Sequence, residues 1–433
     1  MSGGLFSMAW RNLWRNRRRS FATIASIAFG LAAVSTVAGY MQAVNNGLGN
    51  IAVHSDLIGH LTIYKKGWQT EGKLHPARYL LTEEEIDRIR AIVAATTPGA
   101  RLAARLSVMG LVSNGRQSTI FIAEGVAPED MSLLRGPFGA SDEVLREDSP
   151  QGVIVASGLA EILGLKTNDA ASILVSTVHG QANAADIDID AIVNTGNLAT
   201  NDKWIAMPLE LARDQMDAKG RAEALTLLLP VHGTGQPLSG KAADLAMYDR
   251  FPPDDAAMSA LRQRLAAAFA EAGIETDMLT WQEMSPFYTQ VRSMWDMMYG
   301  LFLGVVLAIV VLSVANSVGM TVVERTREIG ALRAIGMRRG GVARLFVTET
   351  ALLVLLGIAT GFVLALLTRA GINALDIRWV PPSLSKDVQF YVGFDPLRTV
   401  LAALALAALA IAAAFMPARR AARHPIIVSL GHV

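Results

Sequence analysis

Residues 297–323 read MMYGLFLGVVLAIVVLSVANSVGMTVV, and residues 324–339 continue directly as ERTREIGALRAIGMRR. The first stretch holds no charged side chain over a length that, as a helix, crosses a hydrocarbon core of roughly 30 Å. The second is rich in arginine and follows with no spacer. A charge-free apolar run that ends in a basic segment indicates a membrane span with a cytoplasmic end.

Three further apolar runs lie before and after this stretch in the sequence, at residues 21–41, 345–367 and 400–416. The composition agrees, because 52% of residues are hydrophobic and only 18% are charged, where a soluble domain carries roughly a quarter charged residues. About 250 residues between the first two spans have the polarity of a globular domain. We therefore predict an α-helical membrane protein with four transmembrane helices and an extracytoplasmic α+β domain inserted between helices 1 and 2.

The first apolar run has an alternative interpretation as a secretory signal. Arg18-Arg19-Ser20-Phe21 superficially fits a twin-arginine signal. Signal cores are usually about 7 to 15 residues long, whereas this run is longer and three more spans follow it. We expect an uncleaved anchor.

Arginines predict the orientation of the chain. They cluster before span one, between spans two and three, and after span four, and the positive-inside rule makes that side cytoplasmic. Both termini are then cytoplasmic, and the large domain lies outside. The clusters are Arg11, Arg15, Arg17, Arg18 and Arg19, then Arg325, Arg327, Arg333, Arg338, Arg339 and Arg344, then Arg419, Arg420 and Arg423.

The resulting domain plan divides the chain into alternating cytoplasmic, membrane and outer parts. It runs as a cytoplasmic amphipathic segment 1–20, helix 21–44, an extracytoplasmic domain 45–292, helix 293–323, a cytoplasmic loop 324–344, helix 345–367, a short outer loop 368–399, helix 400–416 and a cytoplasmic tail 417–433. The net charge of +1 gives no basic surplus for binding nucleic acid.

Two patterns within the membrane part stay open at the level of sequence. Apolar residues recur at helical spacing in residues 5–14, which predicts either a short interfacial helix or a simple extension of span one. Gly300-x-x-x-Gly304 and Gly357-x-x-x-Gly361 allow close backbone approach. Packing within one subunit and a seam between two subunits explain these glycines equally well.

Several elements of the outer domain follow from local patterns. Thr82-Glu83-Glu84-Glu85 predicts a capping box that begins a helix. Residues 256–272 carry an amphipathic helical pattern, and residues 58–64, 152–155 and 225–229 are typical of strands.

The outer domain offers three apparent chemical sites, and each has a simpler explanation. Gly235-x-x-x-x-Gly240-Lys241 resembles a phosphate loop, but Ala242 stands where magnesium binding needs Ser or Thr, which favours a surface turn. Alternating Asp186, Asp188 and Asp190 favour a solvated strand face over a calcium loop.

Histidine, serine and cysteine patterns also give no enzyme site. His54 and His60 are six residues apart and lack a zinc-binding pattern, no Gly-x-Ser-x-Gly turn is present, and the chain has no cysteine. We expect no catalytic, metal or cofactor-binding residues in this chain, which argues against a membrane-anchored enzyme.

The loop after span two forms a short amphipathic helix by pattern. Ile329, Leu332 and Ile335 fall near one face, with charged residues around the remainder. Such a helix, fixed to a membrane span, fits a groove in a cytosolic partner. A basic loop resting on the lipid surface is the alternative.

The loop also carries a resemblance to a known family. Residues 324–339, followed by Phe346-Val347-Thr348-Glu349, resemble the signature of the FtsX/MacB-like ABC transporter permeases, which include lipoprotein-releasing subunits of the LolC/LolE type. One departure is Lys166-Thr167-Asn168-Asp169, where many relatives have a Gly-Asp turn; Asn adopts positive φ readily. Supporting similarities are Ala9 to Leu13, Gly59-His60-Leu61, Ser157 to Ala160, Leu163 to Leu165, Thr280 to Glu283, and Pro417 to Ala421 with Pro425.

The resemblance implies a permease subunit in the bacterial cytoplasmic (inner) membrane. It implies partners as well: a second permease subunit, the same or paralogous, two cytosolic ABC ATPase subunits that bind ATP and Mg and carry out hydrolysis, and a possible periplasmic carrier or adaptor. In the family the loop helix docks on the ATPase. The ATPase-coupling residues carried over are Glu324, Arg325, Arg327, Glu328, Arg333 and Gly336.

The implied activity is mechanotransmission, in which ATP-driven movement in the cytoplasm rearranges the periplasmic domain. The expected work is lipoprotein release or export of a lipid-like or amphiphilic substrate. The alternative is a non-transporting regulator that activates a periplasmic partner such as a cell-wall hydrolase.

Overall fold

The computed structural model describes residues 2–15, 17–72, 74–135, 145–230, 238, 241–249, 253–381 and 387–423. The chain divides into two compact units. A helical unit takes Met1–Ala43, Arg292–Ile377 and Phe390–Val433, and a sheet unit takes Val44–Val291 with Arg378–Gln389.

The helices are numbered in chain order. They are α1 (Ser2–Arg15), α2 (Arg17–Asn50), α3 (Pro76–Tyr79), α4 (Glu83–Thr96), α5 (Pro128–Arg135), α6 (Ser157–Leu163), α7 (Leu209–Met216), α8 (Lys241–Asp249), α9 (Asp255–Glu271), α10 (Trp281–Met284), α11 (Pro286–Glu324), α12 (Thr326–Ala334), α13 (Arg339–Ala374) and α14 (Pro396–Arg423), with π-helical turns at Ile51–Ser55 and Trp68–Gly72.

Four of these helices are long and apolar enough to cross a membrane. The candidate spans are Arg17–Ser55, Pro286–Glu324, Arg339–Ala374 and Pro396–Arg420. The four apolar runs of the sequence lie inside them, so the prediction of four apolar helices is confirmed. The residues between the first two spans account for most of the sheet unit.

The helical unit is held together by ridges of small and branched side chains. Valines at every fourth position of α11 are buried, as are alanines and one leucine at the same spacing on α14. Gly30 of α2 lies against the α11 ridge, since an added Cβ would be 3.0 Å from Val306. Small residues suit this setting because lipid supplies no hydrophobic drive between helices, and van der Waals contact must replace it. The two ridges are Val306, Val310, Val314, Val318 and Val322, and Ala402, Leu406, Ala410, Ala414 and Ala418.

The N-terminal segment forms a helix of its own. α1 packs against α13, with Ala9 fully buried beside Leu345 and Leu352. Trp10 and Trp14 remain 42% and 58% exposed. The Ser20 hydroxyl on α2 donates to the carbonyl of Leu13 on α1 at 3.1 Å, whereas seven residues of one straight helix span about 10 Å. The segment is therefore an amphipathic helix distinct from the long helix that follows.

The described part of the sheet unit contains nine strands in one sheet and a two-stranded ribbon. The sheet order is β3-β7-β4-β6-β5-β2-β8-β1-β9, and β3 also pairs with β2. The strands are β1 (Leu61–Lys65), β2 (Arg101–Ser113), β3 (Ser118–Val126), β4 (Gly152–Ala156), β5 (Ala170–Ser176), β6 (Ala182–Val193), β7 (Trp204–Pro208), β8 (Ala224–Leu228), β9 (Thr276–Thr280), and the ribbon β10 (Arg378–Trp379) and β11 (Val388–Gln389).

The long strand β2 organises the sheet. Its first half pairs with β8 and its second half pairs with β5, while β3 pairs along its other edge. Because β3 also pairs with β7, the strands β2, β3, β7, β4, β6 and β5 close into a ring. Closure gives each of these six strands a hydrogen-bonded neighbour on both sides, which reduces the edge open to pairing with other chains.

Local sequence signals predicted several elements of this unit correctly. Thr82 and Glu85 form both halves of the capping box at the start of α4. Helix α9 covers the predicted amphipathic segment and buries Met258, Leu261, Leu265 and Phe269 along it. Truncating a buried phenylalanine of this kind typically costs about 3–5 kcal/mol. The α+β prediction for the unit is thus consistent with the structure.

One strand prediction was wrong at its beginning. Strand β1 begins at Leu61 and not at residue 58, because Gly59 has φ +68°. A Cβ at Gly59 would lie 2.2 Å from the Thr226 side chain. The chain therefore turns tightly onto β8 before pairing begins. Asn168 has φ +69°. It therefore adopts the positive φ that we expected of Asn at this turn, where many family members have a Gly-Asp turn.

Candidate functional site

Residues 324–338 form the coupling segment, which runs from the last residue of α11 to the residue before α13. It contains the short helix α12, with the single residue Arg325 before it and residues 335–338 after it. Arg325 interrupts helical geometry between α11 and α12 with φ −103° and ψ 17°. Arg338 is extended at the start of α13. The segment is therefore a single short helix tied by one-residue and four-residue connections to two long apolar helices.

The first half of the coupling segment is turned into the helical unit. The Arg325 guanidinium donates to both carboxylate oxygens of Glu349 on α13, at 3.0 and 3.3 Å. Both residues are 8% exposed. Arg325 Nε also donates to Glu328 at 2.9 Å, and the guanidinium lies 5.9 Å from the Phe346 ring centroid. A charge buried this deeply is tolerated because it is both paired and hydrogen-bonded.

The N-terminal helix completes this buried pair. The amide of Asn12 on α1 donates to the Glu349 carboxylate. Glu349 therefore accepts hydrogen bonds from two other elements, α1 and the joint at Arg325. Three segments that are far apart in the sequence meet at one carboxylate.

Two more exposed ion pairs also join the coupling segment to the N-terminal helices α1 and α2. Arg15 contacts Glu328 at 2.7 Å, and Arg19 holds Glu324 through two hydrogen bonds of 2.5 and 2.7 Å. Burial alone would raise the pKa of Glu328, but the hydrogen bonds and charges of Arg325 and Arg15 outweigh it and lower that pKa. The Arg15 and Glu328 side chains are about half exposed, so solvent screens their attraction.

The second half of the coupling segment ends in an exposed turn, after which Met337 packs against the core of the helical unit. Helix α12 ends at Ala334, and Gly336 has φ +106°. The N–H of Met337 donates to the carbonyl of Leu332, and the N–H of Gly336 donates to that of Arg333. This is a Schellman cap, which needs a left-handed residue at the position of Gly336. The cap leaves Ile335 86% exposed.

The exposure of Ile335 follows from this cap. The sequence pattern predicted Ile335 near one helix face with Ile329 and Leu332. Ile329 is buried, whereas Ile335, at the C-cap beside Gly336, is exposed. An apolar side chain of this size, exposed at the tip of a basic loop, is the kind of contact that a protein partner buries.

The six predicted coupling residues thus separate into two groups. Glu324, Arg325 and Glu328 are brought together with partners inside the helical unit. Arg327 is exposed, Arg333 is half-buried, and Gly336 shapes the cap. Sequence reasoning missed the partners Asn12, Arg15, Arg19 and Glu349. The available signal was Glu349 itself, an acidic residue within an apolar run, which must find a partner.

The candidate site residues of the sheet unit lie in the packed interior or on strand β6. His54 and His60 are buried with ring centroids 5.9 Å apart, and each has a ring nitrogen hydrogen-bonded to the backbone, to Leu134 and Leu229 respectively. Asp186 and Asp188 are exposed on β6, and Asp190 contacts Ser149 at 3.2 Å. Gly235 and Gly240 of the apparent phosphate loop lie outside the described residues.

The two glycine pairs have different surroundings. A Cβ at Gly361 would lie 2.9 Å from the carbonyl oxygen of Ala28, and one at Gly357 would lie 2.8 Å from Ile27. This pair therefore forms the close contact between α13 and α2. Around Gly300 and Gly304, by contrast, the described structure has nothing within 4 Å of an added Cβ.

Comparison with known families and proteins agrees with this architecture. Residues 300–426 match the family model "FtsX-like permease C-terminal", and residues 20–230 match "MacB-like periplasmic core domain". The chain is similar to the macrolide export ATP-binding/permease protein MacB of Escherichia coli K12, with 24% identity over 428 residues, covering 96% of this chain and 59% of MacB. The chain thus spans 59% of the length of this relative.

Shorter and structural matches complete the comparison. The pyoverdine export ATP-binding/permease protein PvdT of Pseudomonas entomophila is 40% identical over 128 residues, or 28% of this chain and 17% of PvdT. The periplasmic region of MacB from Actinobacillus actinomycetemcomitans aligns at TM-score 0.33 and 9% identity, over 52% of this chain and 90% of that structure. The extracellular domain of YknZ, a noncanonic ABC-type transporter from Gram-positive bacteria, aligns at TM-score 0.30 and 9% identity, over 51% and 98%.

Proposed function

Since this chain belongs to the FtsX/MacB-like ABC transporter permease family, we propose that it is a permease subunit of the mechanotransmission type. It couples ATP hydrolysis by partner ABC ATPase subunits to movement of a periplasmic domain. In this proposal the coupling segment and both termini are cytoplasmic, ATP and Mg are bound by the ATPase partners, and the sheet unit is periplasmic.

The geometry of the coupling segment carries this proposal. One end is fixed by buried charge to α13 and α1, while the other end presents Ile335 and exposed Arg327. A short helix that is rigid at its base and apolar at its tip is suited to receive a push from a partner and pass it to the spans.

The composition of the spans supports mechanical work over passage of a polar solute. In each span the ionisable residues lie toward the ends, and the middle is free of them. A pathway for a polar substrate usually places such residues at mid-membrane. Lipoprotein release or export of a lipid-like or amphiphilic substrate does not require them.

Replacing Ile335 tests the proposed ATPase contact. The full-length protein is isolated in mild detergent from its native membranes, and the accompanying ABC ATPase is measured by mass spectrometry and by ATP hydrolysis. We expect Ile335→Asp to lose the bound ATPase with an unchanged Tm, because the side chain is exposed in the chain itself. Ala334→Ser, a small change at a neighbouring exposed position, is the control. An Ile335→Asp protein that retains ATPase and hydrolysis contradicts the proposal.

An exposed ridge of α11 supports the proposed second permease subunit. Every fourth residue along it is exposed: Gly300, Gly304, Ala308, Leu312, Asn316 and Met320. Small residues and an amide on a membrane face favour another helix as neighbour. Gly304→Leu is expected to lower the oligomer mass in detergent while Tm stays unchanged. Gly361→Leu is expected to lower Tm, because its Cβ meets α2. Equal effects of both variants on Tm and mass contradict the assignment.

An apolar cluster on the sheet unit supports an amphiphilic substrate. Leu111 lies between Ile120 on β3 and Leu174 on β5 in register, and these three side chains are 43%, 62% and 46% exposed. We expect the full-length protein to cross-link to lipoprotein, and a Leu111→Asp variant to do so less. Capture of a cell-wall hydrolase and no lipoprotein would favour the regulatory alternative.

A further inference from the structure

The Arg325 to Glu349 contact differs from every other ion pair described for the coupling segment. Both of its partners are 8% exposed, whereas Glu328 and Glu324 keep 46% and 43% of their side chains exposed. The exposed pairs can open and close at little cost because water replaces the lost contact. The buried pair cannot, because opening it strands a charge away from water.

The position of the pair in the fold is also distinctive. Arg325 is the one residue between the end of α11 and the start of α12. Glu349 lies on α13, and Asn12, which donates to it, lies on α1. A displacement of the joint at Arg325 therefore pulls directly on the carboxylate that also holds α1.

Stability alone is a poor explanation for keeping such a group. Buried ion pairs are often replaced by apolar residues of similar size with no loss of stability. What a charged, hydrogen-bonded group adds is a specific orientation, since the guanidinium and the carboxylate accept few relative positions. An apolar pair fills the same space but permits sliding.

From these observations we propose that Arg325 and Glu349, with Asn12, form a positioning latch that makes α12, α13 and α1 move as one body. Arg325 acts within the permease and is not a contact for the ATPase, in contrast to the role that the family resemblance implies. This inference rests on the proposed function for its consequence, but the latch itself is a property of this chain alone.

The first test uses the full-length chain without any partner. The protein contains no cysteine, so spin labels at Trp14→Cys on α1 and Ala331→Cys on α12 are unambiguous. We expect a narrow distance distribution in the parent and a distribution at least about twofold broader in Arg325→Met/Glu349→Met. The matched control, Arg19→Met/Glu324→Met, removes an exposed pair and should stay narrow.

A milder variant covers the case in which the double methionine protein does not fold. Asn12→Ala removes only the hydrogen bond from α1 to Glu349, and we expect it to broaden the same distribution with little change in Tm. An unchanged distribution in Asn12→Ala and in any folded double methionine variant overturns the latch. So does equal broadening in the Arg19 and Glu324 control.

The second test uses the complex with the co-purified ABC ATPase. The variant is Arg325→Met/Glu349→Met, or Asn12→Ala if the double variant does not fold. We expect the variant to bind the ATPase within about twofold of the parent. We expect stimulated ATP hydrolysis to fall by about tenfold, which is a normal magnitude for coupling between sites. Loss of binding would make Arg325 an ATPase contact and overturn the proposal. Full stimulation would overturn it as well. If the parent protein binds no ABC ATPase, the proposed function is wrong. The distance measurement still tests whether the latch exists, because it needs no partner.

Discussion

The two halves of the coupling segment differ in burial and in the partners of their side chains. In the first half, Arg325 is buried and finds its partners on α12 and α13. In the second half, Ile335 is 86% exposed and Gly336 turns the chain through a left-handed conformation. A segment with the pattern of one amphipathic helix therefore combines a buried ionic contact with an exposed apolar turn.

This difference shows that a charged residue in a motif can hold its own chain together. Arg325, one of the predicted ATPase-coupling residues, is buried against Glu349. Ile335, predicted on the apolar face of the loop helix, is exposed. Variants in the two halves should consequently separate loss of folding from loss of coupling.

The largest expected effect follows from removing Arg325. Arg325→Ala leaves Glu349 as a buried carboxylate with Asn12 as its remaining described donor, and we expect the free energy of unfolding to fall by about 3–5 kcal/mol. Thermal or denaturant unfolding of the full-length protein in detergent measures this. Arg338→Ala, an exposed arginine in the second half, is the control and should change stability by no more than about 0.5 kcal/mol. Similar losses for the two would erase the distinction between the halves.

Gly336 gives an intermediate effect. Gly336→Ala forces a side chain into a φ of +106°, and we expect a loss of roughly 1–2 kcal/mol. Asn at the same position should restore part of it. Gly340→Ala is the matched control, because Gly340 is helical and open to solvent and alanine is the better helix former. If Gly336→Ala is as stable as the control, the turn does not depend on the glycine.

Glu328 gives the smallest effect, and it depends on pH. The pKa of Glu328 is lowered in the folded protein, so its ionic contribution is present above the unfolded pKa of about 4.3 and disappears as pH falls through the folded value. The side chain is 46% exposed, so we expect at most about 1 kcal/mol. Tm measured from pH 7 to about pH 3, a range that reaches below the unfolded pKa, should therefore fall slightly more in the parent than in Glu328→Gln. A larger fall in the variant would show that ionised Glu328 does not stabilise the folded protein.

Much of the fold was accessible from sequence because its signals are local. Apolar runs of span length predict helices on their own, and the capping box at Thr82 needs only residues within one turn. The helix over residues 256–272 follows from the spacing of its buried face. These features do not depend on what lies elsewhere in the chain.

The site was less accessible because its contacts are tertiary. Arg325 and Asn12 reach Glu349 from 24 and 337 residues away, and no periodicity encodes that meeting. The two Gly-x-x-x-Gly motifs are identical in pattern. In the described structure, however, the glycines of the second motif, Gly357 and Gly361, contact α2, and those of the first motif do not. The exposure of Ile335 depends on the glycine cap that follows it, which hydrophobic periodicity alone does not describe.

Photocross-linking at Ile335 tests most directly whether the second half of the coupling segment is the ATPase contact. A photoreactive phenylalanine is placed at Ile335 of the full-length protein in its native membranes, with Leu355, an exposed apolar residue of α13, as the control position. We predict a cross-link from residue 335 to an ABC ATPase, identified by mass spectrometry and dependent on that position. Cross-links from residue 335 only to lipid or to a periplasmic protein would contradict the proposed coupling role.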